Sequence, residues 1–113
     1  MHEMSIAQNM IAIIEDEMRK HSAKVLRSIY VNIGRFSSIV PDALSFCFEI
    51  ITKDTELAGA RLFIDIIPLM GRCVSCNSEF EIKDYSFSCP VCGGLKIDTI
   101  SGQDLTVVEI EVD

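Results

Sequence analysis

The chain is short of positive charge: ten lysines and arginines stand against seventeen aspartates and glutamates in 113 residues, a formal net charge of −7 at pH 7. Nucleic-acid binders need a basic surface to displace counterions, so the balance weighs against nucleic acid, and no such partner is expected. It also lacks any apolar run of the roughly 18–20 residues needed to span a bilayer, so no membrane segment is expected. No internal repeat or low-complexity tract is present. The opening residues have no basic n-region, apolar h-region or cleavage site, which reads as a cytoplasmic protein. Histidine is scarce too: only His2 and His21 occur. No histidine, serine and carboxylate cluster accompanies an open metal position, so an enzyme is not expected.

What the chain does have is cysteine in a pattern. Cys73-Val-Ser-Cys76 and Cys89-Pro-Val-Cys92 are separated by twelve residues. Each C-x-x-C turn brings two thiolates to one ion, and two turns supply a tetrahedral shell. Zinc is the default ion, and iron fits the same ligands as in rubredoxin-type sites. A disulfide framework belongs to secreted chains, and a thioredoxin-like dithiol needs a single C-x-x-C beside a βαβ pattern. With all four positions filled by sulfur the metal has no place for water, so its role is structural. Gly71, Gly93 and Gly94 read as permissive backbone around the turns. The fifth cysteine, Cys47, reads as a small core hydrophobe.

Hydrophobic content of 49% allows one modest core with a metal-stapled appendage. Ser5 to about His21 is helical by spacing, with Ile6, Met10, Ile13, Ile14 and Met18 as its apolar stripe and Ser5-x-x-Gln8 as a capping box. Val25 to Ile33 alternates as a strand. Pro41 to about Lys53 is a second helix with Leu44, Cys47, Phe48 and Ile51 facing the core. Arg61 to Ile67 is a second strand, ended by Pro68. The polar stretch Thr99 to Gln103 leads into a third, Leu105 to Val112. The expected architecture is α+β: a small three-stranded sheet packed with two helices, plus an inserted four-cysteine zinc lobe. The expected division is 1–67 with 103–113, and 68–102 for the zinc-binding part.

Met1-His2-Glu3 reads either as a frayed terminus carrying an incidental histidine or as a second metal site. Methionine aminopeptidases remove Met only before small residues, so His2 is expected to stay second. The α-amine, the His2 peptide nitrogen and the His2 imidazole then occupy successive chelate positions, with Glu3 able to add a fourth donor. Such a nearly planar set suits nickel(II) or copper(II) better than zinc. His21, near the end of the first helix, is explained by interaction with the helix dipole.

These residues resemble the HypA family of nickel metallochaperones of [NiFe]-hydrogenase maturation. The resemblance rests on Met1-His2-Glu3-Met4-Ser5, on Val40-Pro41-Asp42-Ala43-Leu44 and on the tandem cysteine pairs. It implies nickel binding through Met1, His2 and Glu3, with structural zinc on Cys73, Cys76, Cys89 and Cys92. It also implies partners: a HypB-type nucleotide-hydrolysing maturation protein and the hydrogenase large subunit. A zinc-ribbon interaction module without nickel function is the competing reading of the cysteines.

Overall fold

A computed structural model of the chain describes residues 3–113. Among these the elements run α1 (Glu3–Lys20), β1 (Leu26–Gly34), α2 (Pro41–Thr52), β2 (Arg61–Ile67), β3 (Met70–Cys73), β4 (Glu79–Glu81), β5 (Ile97–Ser101) and β6 (Leu105–Val112). They form two three-stranded sheets, in the orders β2-β1-β6 and β4-β3-β5. The first is the expected sheet with its two helices. The second lies in the metal segment and was not anticipated: its strands are short, and Thr99–Ser101, read as polar connection, belong to β5.

β1 is the centre of the first sheet, parallel to β2 and antiparallel to β6. Parallel pairing requires a long crossover, and α2 supplies it. Both helices cover one face. Met10, Ile14 and Met18 of α1 meet Ile29, Val31 and Ile33 of β1 and Leu44 and Phe48 of α2 in a single buried cluster. Burying each of the larger side chains is worth roughly 1.5–3 kcal/mol. Cys47 and Ile51 pack against the same cluster, as their spacing predicts.

Three expectations need correction. α1 begins at Glu3, so Ser5 lies inside its first turn and does not act as the N-cap. Ile13 is 54% exposed, because Met10, Ile14 and Met18 already fill the narrow stripe that faces the core. Val25 precedes β1 and is exposed, since a register shift between Leu26 and Ser28 resets the alternation.

The chain leaves the first sheet after Ile67 and re-enters it at Leu105, and both passes are held against the end of β1. Gly34 N–H donates to Asp104 O at 2.8 Å, Arg35 N–H to Ile67 O at 2.8 Å and Phe36 N–H to Gly102 O at 2.8 Å. Such close approach needs glycine. A Cβ on Gly34 would lie 2.2 Å from the Gly102 carbonyl carbon, and one on Gly102 would lie 2.5 Å from Leu69 Cα and from Pro68 O. Gly102 also has φ +95°, a conformation that other residues rarely adopt. Backbone atoms cannot yield as a flexible side chain does. Gly34→Ala and Gly102→Ala are each expected to destabilise the protein by more than about 2 kcal/mol, read by chemical denaturation. Gly59→Ala, where nothing lies within 4 Å of the added methyl, serves as the positive-φ comparison without a clash.

Candidate metal centre

The second sheet ends at the cysteines. β3 runs into Cys73, and two turns of matching geometry follow. Cys73 N–H donates to Ser78 O at 2.9 Å while Asn77 N–H donates to Cys73 O at 2.8 Å. Cys89 N–H donates to Gly94 O at 2.8 Å while Gly93 N–H donates to Cys89 O at 2.9 Å. Each turn therefore needs a left-handed residue just after its second cysteine. Asn77 (φ 64°) and Gly93 (φ 75°) provide it, and both residue types tolerate that conformation. Asn77 was missed in the sequence, although an asparagine following C-x-x-C is a readable signal.

Gly71, expected as permissive turn backbone, is a strand residue. It sits within β3, where a Cβ would lie 2.6 Å from Ile97 Cγ2 and 2.9 Å from Ile82 Cδ1. It is required for packing under the β4-β3-β5 sheet. Gly94 approaches the sulfurs themselves: its Cβ would stand 3.3 Å from both Cys73 Sγ and Cys92 Sγ.

The turns bring Cys73, Cys76, Cys89 and Cys92 together, with all four sulfurs within 4.8 Å of one another. Cys73 and Cys92 are 3.5 Å apart and Cys76 and Cys89 are 3.6 Å apart. A disulfide requires about 2.05 Å, and the cysteines are free. Four sulfurs at the Zn–S length of about 2.3 Å around a tetrahedral centre lie about 3.8 Å from each other, so the donor set fits such an ion. Cys73 and Cys89 are buried, whereas Cys76 and Cys92 are exposed. Backbone amides point at the sulfurs: Val91 and Cys92 N–H reach Cys89 Sγ, and Gly94 N–H reaches Cys92 Sγ, all at 3.4 Å. These dipoles favour thiolate charge, and hydrogen bonds from outside the ligand shell also orient the ligands.

The thiols differ in acidity. Hydrogen bonding to the Ser78 side chain and to the Ser78 backbone lowers Cys76 to about 6. Hydrogen bonds to the Cys76 and Ser75 backbone lower Cys73, against burial. For Cys92 the Gly94 amide lowers the value, but the neighbouring thiols of Cys73 and Cys76, with burial, outweigh it and push it up to about 12.

At the other end of the chain, Met1 and His2 lie outside the described residues. Glu3 is the first residue of α1, and its carboxylate Oε2 accepts the Val40 N–H at 3.0 Å. Val40 is the N-cap of α2, with no side-chain cap of its own. The contact thus joins the starts of the two helices. It also places a carboxylate at a helix N-terminus, where negative charge is stabilised. His21 sits in the turn after α1, its Nε2 3.7 Å from Glu17 Oε2, as a helix-end residue.

Residues 1–112 match the family model described as "Hydrogenase/urease nickel incorporation, metallochaperone, hypA". The chain belongs to the HypA family. It is 42% identical to the hydrogenase maturation factor HypA of Geotalea uraniireducens over 113 residues, covering 100% of both chains. It is also 44% identical to that of Desulfatibacillum aliphaticivorans over 99% of this chain and 87% of the relative. The solution structure of the Ni metallochaperone HypA from Helicobacter pylori superposes with a TM-score of 0.73 over 99% of this chain and 97% of that one. At 21% identity that likeness speaks for the fold. The HypA-family fold is therefore shared end to end, metal lobe included.

Proposed function

We propose that this HypA-family protein is a nickel carrier with two metal sites of opposite character. Structural zinc is held by Cys73, Cys76, Cys89 and Cys92 in residues 68–102. Nickel(II), the cargo, is bound by Met1, His2 and Glu3 at the edge of the helical part, residues 1–67 with 103–113. The single observation that carries the reading is a family match that includes Met1-His2-Glu3, residue types that offer successive donors for a planar chelate. The four-sulfur cluster supports the zinc assignment.

The chemistry separates the two ions. Four thiolates hold a borderline-soft ion tightly and leave no coordination position vacant. In a lobe this small, metal binding on the order of 10 kcal/mol is largely folding energy. The terminal site depends on nitrogen donors that carry protons in the absence of metal: the amine, the imidazole and a peptide nitrogen. Nickel binding must displace those protons, so affinity falls on acidification and release is favoured. The Val40 N–H that Glu3 accepts would orient its carboxylate.

In this reading the protein works in the cytoplasm without catalysing a reaction. It receives support from a HypB-type nucleotide-hydrolysing maturation protein and passes nickel to the hydrogenase large subunit. Its acidic composition fits protein partners better than nucleic acid.

Calorimetry on zinc-loaded protein with its native Met1 start should show one tight nickel per chain. His2→Ala, and an N-terminally acetylated form whose amine can no longer coordinate, should each lose about a hundredfold in affinity, since each removes one nitrogen of the chelate. Equal nickel binding by all three would leave a zinc-ribbon module without the terminal site.

A further inference from the structure

The first sheet has two unlike faces. Ile29 and Val31 of β1, Leu62 and Ile64 of β2 and Ile110 of β6 belong to the core under the helices. Side chains alternate along a strand, so Tyr30, Arg61, Phe63, Asp65, Glu109 and Glu111 stand on the opposite face. All are exposed except Tyr30, which is half-buried.

That face is organised around Tyr30. The register puts Phe63 beside it on β2 and Glu109 beside it on β6. The Tyr30 and Phe63 rings are stacked, with centroids 5.0 Å apart and planes inclined by 12°. With Phe63 against one side, Tyr30 turns its other ring face toward β6 and Glu109. Its hydroxyl donates to Glu111 Oε1 at 2.6 Å. That hydrogen bond pushes the Tyr30 hydroxyl above its ordinary value, and the charges of Glu111 and Glu109 add to it, so both carboxylates lie close to the ring.

The charge on this face is unbalanced. Among the described residues, Asp65, Glu109 and Glu111 have no cationic group within ion-pair distance. Arg27, at the same end of β1, is already held by Asp113 at 2.7 Å. Glu109 and Glu111, two apart on one strand, stand side by side, and their repulsion is relieved by a shared cation. The aromatic pair already takes one guanidinium on its β2 side, where Arg61 lies over Phe63, 5.4 Å from the ring centroid. The β6 side of Tyr30 offers the same contact with two carboxylates behind it.

The chemistry selects the occupant. An aromatic sheet face stacks nucleic-acid bases only where basic side chains hold the phosphates, and these carboxylates repel phosphate. A guanidinium can stack on a ring and bond a carboxylate with its forked N–H groups at once, which an ammonium does less well. Asp65 lies two strands from β6, about 10 Å across the sheet. An extended segment with a second arginine about three positions along spans that distance.

We propose that the open face of the first sheet is a docking surface for an arginine-bearing segment of a partner protein, whose guanidinium stacks on the β6 side of Tyr30 and pairs with Glu109 and Glu111. The surface is separate from the residues proposed to hold nickel and does not rest on them.

The test is a titration of the nitrogen-15-labelled, zinc-loaded full chain with a short capped glycine peptide carrying two arginines three positions apart, followed by amide NMR. Shifts should centre on Tyr30, Glu109 and Glu111, with a dissociation constant of about 1 mM or below. The same peptide with citrulline, which keeps the shape and loses the charge, should bind at least about tenfold more weakly. Tyr30→Leu keeps the carboxylates and removes the ring, and should weaken binding about fivefold, whereas Tyr30→Phe should stay within about twofold. Glu109→Gln combined with Glu111→Gln should lower affinity about tenfold or more. The amide spectrum of each variant also checks that the sheet persists. Shifts centred elsewhere, such as on the acidic side of α1, overturn the assignment. So does a Tyr30→Leu variant that binds as well as the unsubstituted chain, which would leave charge alone. Equal affinity for putrescine, a diamine of the same charge, would make the face a small-cation site and overturn the peptide reading.

Discussion

The four-cysteine lobe hangs on one backbone junction. The chain leaves the first sheet at Ile67 and returns at Leu105, and the N–H groups of Gly34, Arg35 and Phe36 bind the two passes from the end of β1. The approach is so close that neither Gly34 nor Gly102 can carry a methyl group. Ser101 Oγ adds a hydrogen bond to Pro68 O at 3.1 Å, and the Phe36 and Tyr85 rings meet at 5.0 Å between centroids. The lobe is therefore a clamped extension of the first sheet, held by backbone geometry before any side chain contributes. The molecule is elongated as a result, 54 Å in its longest dimension.

At the far end the organising force changes from apolar burial to ligand chemistry. A segment with β-strands of three to five residues has too little core to fold by itself. Its matched turns exist to aim four sulfurs at one point. The left-handed Asn77 and Gly93, and the amides directed at Cys89 and Cys92, gather the four sulfurs into a set that could hold one ion.

How much of this was legible in the sequence varies with the physics that sets each part. α1, α2, β1, β2 and β6 were readable because each buries one periodic face against a common core. The cysteine cluster was readable from spacing alone. The short strands β3, β4 and β5 were hidden because pairing between three- to five-residue segments, rather than hydrophobic alternation, defines them. The exposure of Ile13 was hidden because helical spacing says which residues share a face but not how wide a stripe the core accepts. Gly71 looked like a turn residue, yet it is a packing residue under Ile82 and Ile97. The family resemblance, now established over residues 1–112, was legible mainly because Met1-His2-Glu3 and the paired cysteines occur in one chain.

The proposed carrier keeps a persistent thiolate ion apart from a labile terminal one, and X-ray absorption at both metal edges tests that separation directly. Protein loaded with one zinc and one nickel should show zinc surrounded only by sulfur at about 2.3 Å. Its nickel spectrum should contain nitrogen and oxygen donors in a planar arrangement, with no sulfur. Sulfur in the nickel shell, or loss of zinc as nickel is added, would contradict the separation and put both metals in competition for Cys73, Cys76, Cys89 and Cys92.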